Sequence, residues 1–466
     1  MTLLAAAQME PGALADEAEG GGGAGEDGDG DADALAAEVE LQEQLLDRLV
    51  QAQLPRLRAT PLRTSAALVL ALSNAGYYDP AFFSEAAAAA VEGLGSLEVW
   101  EVPVVATALA AGFSAAGHYE EPLFEALAAR AVAADASAPS GPAPLLAVAA
   151  ALLEVQHYCP PLLDALAASV RAAGGAAAMP AGQLVDLLLV VGFFRAAPHD
   201  LVEQAGGALA DALERQQRQE GVEEEQQARQ DEREAGGGQG AGSASGAGGG
   251  EALLEEDQLG RLHLAALLLR QQGAPLGPRL CAALAARPPG RLLGADHMVS
   301  DPEAAAEALG QPQGADWEAA GLLTPGQVVG RLTQGLGYEV ERDVVAGEEG
   351  DGQLLAEVEI SITVDESRLQ AQQQREREEG QEGRQQQEEG RSGVRRRVAV
   401  AVMDDESCYC ASPPGRLRGG VAVQVLALQS LGWAVLPLPV REWQALGRDT
   451  AAQDAYLRAR IAAAVG

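Results

Sequence analysis

Lysine is absent from all 466 residues, so every cation is an arginine, and 32 of them stand against 68 Asp and Glu for a formal net charge of −36. A P-loop cannot be built without its Gly-Lys-Ser/Thr ending, and the glycine runs at 20–23 and 236–250 have none. No glycine-rich turn lies between a strand and a helix with a ribose-binding acid beyond it, and no nucleophile-elbow or kinase signature occurs. Cysteine is scarce: Cys159, Cys281, Cys408 and Cys410 fit neither a disulfide framework nor a zinc pattern, and they read as buried or incidental thiols. His199, His263 and His297 are isolated, and nothing near them in the sequence supplies a nucleophile or a third metal ligand. No apolar run of about 20 residues has the low charge of a membrane span, so a soluble chain is expected. Neither a cofactor nor a metal nor a small-molecule substrate is implied.

What is present is alanine, glycine and leucine in helical patterns, interrupted by segments that cannot fold. Residues 1–34 are read as a disordered acidic segment, because Gly20 to Asp33 is glycine and acid and has nothing to bury. A transit peptide should be rich in Arg and Ser and poor in acids. Met1 to Asp47 instead carries Asp16, Glu17, Glu19, Glu26, Asp27, Asp29, Asp31 and Asp33. Either Met1 is not the biological start, or targeting works otherwise, or the protein stays outside organelles.

Residues 35–214 are expected to form an α-helical repeat domain. The corner Gly76-Tyr77-Tyr78-Asp79-Pro80 returns as Gly117-His118-Tyr119-Glu120-Glu121-Pro122, as Gln156-His157-Tyr158-Cys159-Pro160, and more weakly as Gly192-Phe193-Phe194 before Pro198. The acids that follow each proline, Glu85, Glu125, Asp164 and Glu203, are 40, 39 and 39 residues apart. A period of that length is the mark of stacked helical pairs. Each proline can open a helix, and second helices are predicted over Val102 to Ser114, Pro144 to Val155 and Ala181 to Val191. His118 and His157 are read as structural corner residues. From Thr64 to Glu214 the only cations are Arg130, Arg171 and Arg195, too few for a phosphate-binding groove. The repeats therefore select either bases or a protein partner.

Residues 215–252 are read as a low-complexity linker whose charged first part is a solvated helix. Residues 253–323 follow as a helical spacer, with Leu259, Leu262, Ala266 and Leu269 on one face. Thr324 then caps a helix that has Pro325 at its first position. Strands are predicted over Tyr338 to Val345, Leu355 to Val364 and Arg397 to Met403, with an unfoldable insertion at 366–394 between the last two. A helix ends at Gly432. The strand Trp433 to Val440 comes next, placed near a sheet edge by Pro437 and Pro439. A helix over Ala451 to Ala464 closes the chain.

Leu431-Gly432-Trp433, the apolar strand ending in Pro, Arg441-Glu442-Trp443 and Tyr456-Leu457 together resemble the RAP domain, a module of organellar RNA-metabolism proteins. The GYxDP corner and its period resemble the octotricopeptide-like helical repeats that precede such domains, or the related FAST-kinase-like repeats. The resemblance implies a multidomain chain: an α-helical repeat solenoid followed by a small α/β restriction-endonuclease-like domain at 324–466. It implies RNA binding in a chloroplast or mitochondrion, acting in transcript or rRNA processing, stability or translation.

A nuclease of that fold needs strand carboxylates and a lysine to hold Mg²⁺ and activate water. Here Ala401 and Met403 stand where acids are wanted, leaving Asp404, Asp405 and Glu359 as turn acids or displaced ligands, so no enzyme activity is expected. The candidate RNA-binding residues are Arg395, Arg396 and Arg397, which follow Arg391, together with Arg416, Arg418 and Arg441. The loops that carry Arg395 to Arg397 and Arg416 with Arg418 are expected on one rim, with Arg441 beyond it, and arginine pairs phosphate bidentately or stacks on bases. The competing reading is an acidic helical-repeat scaffold for protein partners, without RNA contact or membrane.

Overall fold

The computed structural model describes residues 41–42, 44–196, 198–235, 254–287, 325–346, 356–365, 395–403 and 408–465. Most of them are helical, and a small four-stranded mixed sheet lies near the C-terminus.

After a 3-10 turn over Leu54–Ala59, the helical region runs through α1 (Leu62–Asn74), α2 (Pro80–Gly93), α3 (Val102–Ala115), α4 (Glu121–Ser137) and α5 (Pro142–Glu154). It continues with α6 (Pro160–Ala172), α7 (Ala181–Phe193), α8 (His199–Ala235), α9 (Glu256–Gln271) and α10 (Pro278–Ala285). Proline opens α2, α5, α6 and α10, where its missing N–H leaves no hydrogen bond unmade. Asp79 caps α2 by accepting from the Phe82 N–H at 2.7 Å.

α1, α3, α5, α7 and α9 pack in sequence as one row, with α2, α4 and α6 in a second row behind. Small side chains set the spacing. A Cβ on Gly112 of α3 would stand 3.0 Å from the Leu70 backbone of α1, and the Ser73 hydroxyl donates to the Gly112 carbonyl at 2.6 Å.

Each helix of the first row ends in the same way. Gly76, Gly117, Gln156, Arg195 and Gly273 all have positive φ, and the N–H after each returns to a carbonyl five residues back: Tyr77 to Leu72, His118 to Phe113, His157 to Leu152, Ala196 to Val191 and Ala274 to Leu269. This closure satisfies carbonyls that the helix leaves open.

α8 continues through the charged run to Ala235, so the segment 215–252 opens as a helix over its first 21 residues (215 to 235), as expected of its charged part. Residues 256–285, expected as a spacer, instead extend the two rows. α9 packs on α7 and α10 on α8, and Leu262, Ala265 and Leu269 are buried in the same core as Leu184 and Val191. The acidic segment 1–34, the glycine-rich 236–253 and the insertion 366–394 lie outside the described residues.

The C-terminal region begins with α11 (Pro325–Gly330), continued by a wider turn over Arg331–Gly335. β1 (Val340–Ala346), β2 (Ala356–Asp365) and β3 (Arg395–Met403) follow as an antiparallel meander. α12 (Gly419–Ser430) crosses over to β4 (Ala434–Pro439), which pairs parallel to β3 at the sheet edge, as its two prolines require. α13 (Val440–Ala445) and α14 (Thr450–Val465) end the chain.

Alternation along β3 divides the core. Val398, Val400 and Val402 face one way, toward Trp443, Leu457 and Ile461. Ala399, Ala401 and Met403 belong to the larger core that takes in α12 and the helical rows. α12 therefore lies between the sheet and the helical region, packed on β4, α5 and α9.

Candidate nucleic-acid interface

The register of β3 and β4 decides where the arginines stand. Val398 pairs with Ala434 and Met403 with Pro439, so Arg395, Arg396 and Arg397 occupy the starting end of this parallel pair. All three are exposed. Arg397 lies over the Trp433 ring, 5.5 Å from its centroid, while the indole itself is buried. Arg395 is opposite Asp365 on β2. Successive strand residues alternate in direction, so Arg396 leaves the sheet on the face opposite to its two neighbours.

Arg416, Arg418 and Arg441 lie at the other end. The Tyr409 hydroxyl donates to Met403 Sδ at 3.6 Å, which ties the loop before α12 to the finish of β3, and Arg441 follows Pro439. α12 spans 12 residues, or about 18 Å, between the two groups. The expectation of a single basic rim is overturned. A parallel crossover must carry the chain from the end of one strand to the start of the next, and the two arginine groups flank that crossover.

Arg416 and Arg418 are engaged within the chain. The Arg416 guanidinium stacks 3.9 Å from the centroid of Tyr119 and donates to the Gln156 carbonyl at 2.9 Å. Gln156 in turn donates through Nε2 to the Leu417 carbonyl at 2.6 Å. Arg418 donates to the Ala115 carbonyl at 3.0 Å. The backbone joins in: the Tyr119 N–H donates to the Ser412 carbonyl at 2.8 Å and the Ser412 N–H to the Gly117 carbonyl at 3.2 Å. The Gly420 N–H donates to Glu154 at 3.2 Å, and a Cβ on Gly419 would fall 2.1 Å from the Leu153 carbonyl oxygen. The C-terminal region is thus locked onto the corners that end α3 and α5.

The corner histidines hold this joint from behind. Neutral His118 donates from Nε2 to Glu120 at 3.1 Å, which leaves Nδ1 to accept from the Tyr78 hydroxyl at 2.9 Å. Tyr119 and His157 repeat the bond at 2.9 Å one helical pair later. Burial pushes both imidazoles below their ordinary pKa, and the Arg416 charge adds to the effect at His157. Burial likewise pushes the Cys410 thiol up. On the far face, burial and a hydrogen bond to Glu442 push the Tyr456 phenol up to about 12.

Sequence reasoning missed Tyr119, Gln156 and Glu154 as docking residues. One signal was present: at Gln156 a residue with a Cβ takes the position that glycine holds at the preceding corners, Gly76 and Gly117. Arg391, Asp404 and Asp405 lie outside the described residues. Ala401 and Met403 are buried in β3. Among the described residues no group of three His, Cys, Asp or Glu side chains gathers as a metal-ligand set, and no helix is long and apolar enough to cross a membrane.

A scan against protein-family models finds no match for the chain, and a search of curated proteins finds none.

Proposed function

We propose that the protein binds RNA in chloroplast or mitochondrial RNA metabolism, serving transcript or rRNA processing, stability or translation, and that it does so without catalysing a reaction. In this reading the helical rows are a repeat solenoid of the octotricopeptide-like or FAST-kinase-like kind, and the C-terminal region is a RAP-like relative of the restriction-endonuclease core. The observation that carries it is the exposed run Arg395–Arg397 on a folded strand of a chain whose net charge is −36. Three adjacent guanidinium groups spread over both faces of a strand end, one of them stacked on a tryptophan, suit a phosphate backbone. Arg441, exposed at the opposite end, stands apart from that run.

The test is fluorescence anisotropy of a labelled single-stranded RNA oligonucleotide with the full chain over a range of salt. The logarithm of affinity should fall linearly with the logarithm of salt, losing about 0.7 of slope for each phosphate contact removed. Replacing Arg395, Arg396 and Arg397 together by alanine should flatten the slope by about 2. Binding that is undetectable, or insensitive to salt, would sink this reading.

Specific contacts favour the acidic scaffold as a second reading. Arg416 and Arg418 are taken up by the joint, and cations of the helical region are held by acids or carbonyls: Arg58 by Glu85 at 2.6 Å, Arg171 by Asp200 at 3.0 Å, Arg130 by the Leu97 carbonyl at 2.6 Å. An unbound RNA control together with recovery of a stoichiometric protein partner would select it.

A further inference from the structure

We infer that Tyr158, Phe194 and Arg195 form a stacking shelf for one nucleotide of a single-stranded RNA, on the open helix corner next to the docked C-terminal region; this deepens the RNA-binding reading and rests on it. The corners explain why. Tyr78 and Tyr119 occupy equivalent positions, and each gives its hydroxyl to a histidine of the following helical pair. Tyr158 is the third member of the series, and the position corresponding to those histidines is Ala196. The series of Tyr–His bonds stops there. Tyr158 remains 54% exposed, with its ring tilted against Phe194 at 5.7 Å between centroids.

Arg195 adds the charge. It is exposed and, among the described residues, its side chain pairs with no acid, unlike Arg58 and Arg171 of the same region. It also sits at φ 52°, where Gly76, Gly117 and Gly273 hold the equivalent corners. A residue with a Cβ is disfavoured in that region of backbone space. The other such corner residue, Gln156, uses its side chain to hold Leu417. Arg195 keeps the same strained backbone, and among the described residues its side chain has no hydrogen bond or ion pair, which points to a partner outside the chain. An exposed ring packed on the residue that precedes an exposed arginine suits a base and its phosphate, because any base can stack on an aromatic face and arginine grips the phosphate.

The test uses the full chain and a labelled oligouridylate, with Arg195→Gly and Tyr158→Ala as variants. Arg195→Gly installs the residue that three of the sister corners already use, so its folding is expected to be intact, and a thermal melt checks this. Tyr158→Ala should weaken binding on the order of tenfold, and Arg195→Gly should lower the salt slope by about 0.7. If the wild-type chain binds oligouridylate and both variants match it in affinity and slope, the shelf is wrong while RNA binding at Arg395–Arg397 stands. If the wild-type chain binds no RNA, both fall together. Binding of an oligoglutamate peptide that disappears in Arg195→Gly, without RNA binding, would overturn the shelf in favour of an acidic protein partner.

Discussion

The helical rows and the C-terminal region both pair arginines with their own acids, Arg331 with Asp454 and Arg460 with Glu442 in the latter, but the C-terminal region also sends arginines into its neighbour. In the rows, arginines are spent on neighbours: Arg58 on Glu85 and Glu92, Arg130 on the Leu94 and Leu97 carbonyls, Arg171 on Asp200, Arg279 on Asp211 and Glu214. In the sheet domain, Arg395 to Arg397 stand exposed at one strand end while Arg416 and Arg418 at the other end reach into the rows. The acidic helical stack holds Arg58, Arg130, Arg171 and Arg279 on its own acids and carbonyls and leaves Arg195 exposed, whereas the domain beside it also sends Arg416 and Arg418 across as fasteners. Counting arginines in a loop therefore says little until their direction is known.

The first way to break the comparison is to ask whether the two regions are energetically separate. Phe83 is fully buried among Tyr78, Phe82, Phe113 and His118. Phe83→Ala should destabilise by about 3–5 kcal/mol, and because the sheet domain docks on the adjacent corners, chemical denaturation should show one shifted transition. Two transitions, with only one displaced, would show that the joint carries little energy.

A second, smaller effect is expected at the joint itself. Gly419→Leu forces a side chain into the Leu153 carbonyl and should cost about 2–3 kcal/mol. Protease sensitivity between the two regions should rise; an unchanged digestion pattern would contradict the docking described here.

Third, Arg416→Ala removes a ring stack and a hydrogen bond and should cost about 1–2 kcal/mol. In a double-mutant cycle with Tyr119→Leu, the coupling between the two positions should be nonzero. Full additivity would place the guanidinium elsewhere.

The smallest effect is one of pH. Burial lowers the folded-state pKa of His118 and His157, so below the unfolded value of about 6.5 the unfolded chain takes up protons that the folded chain resists. Stability is then full above that pH and declines as pH falls through it toward the lowered folded values. Around His157 the facing groups are Tyr119, Glu121, Glu125 and Arg416; around His118 they are Tyr78 and Glu120. Thermal melts across that window should show a drop that is reduced in His157→Asn, and equal drops in both proteins would refute the assignment.

Much of the architecture was legible from local pattern. Prolines at helix openings, the corner period and the Gly432 helix end all act within a few residues, so α3, α5, α7, α12 and β4 lie within about two residues of expectation. The charged run after Glu214 is a poor core former, yet it is helical as expected, continuing α8 because a helix needs only its own backbone bonds to go on. The place of the next helix was not foreseen. α9 reads as an isolated amphipathic helix in sequence, since nothing local reveals that its apolar face meets α7 across a glycine-rich gap. At the candidate site, Arg395 to Arg397 were singled out by charge alone. The docking roles of Tyr119, Gln156 and Glu154 were not, because their partners lie about 260 to 300 residues later in the chain.

By itself, then, the order of residues determined which segments become helix or strand, where each helix stops, and which side chains are apolar enough to be buried. These are short-range matters of backbone geometry and periodicity. Tertiary structure alone decided that the two arginine groups lie at opposite ends of the β3–β4 pair, that one of them clamps the helical rows, and that the tyrosine ladder ends at Tyr158. Those outcomes depend on which surfaces meet, and a contact between residues hundreds of positions apart leaves no trace in the neighbourhood of either.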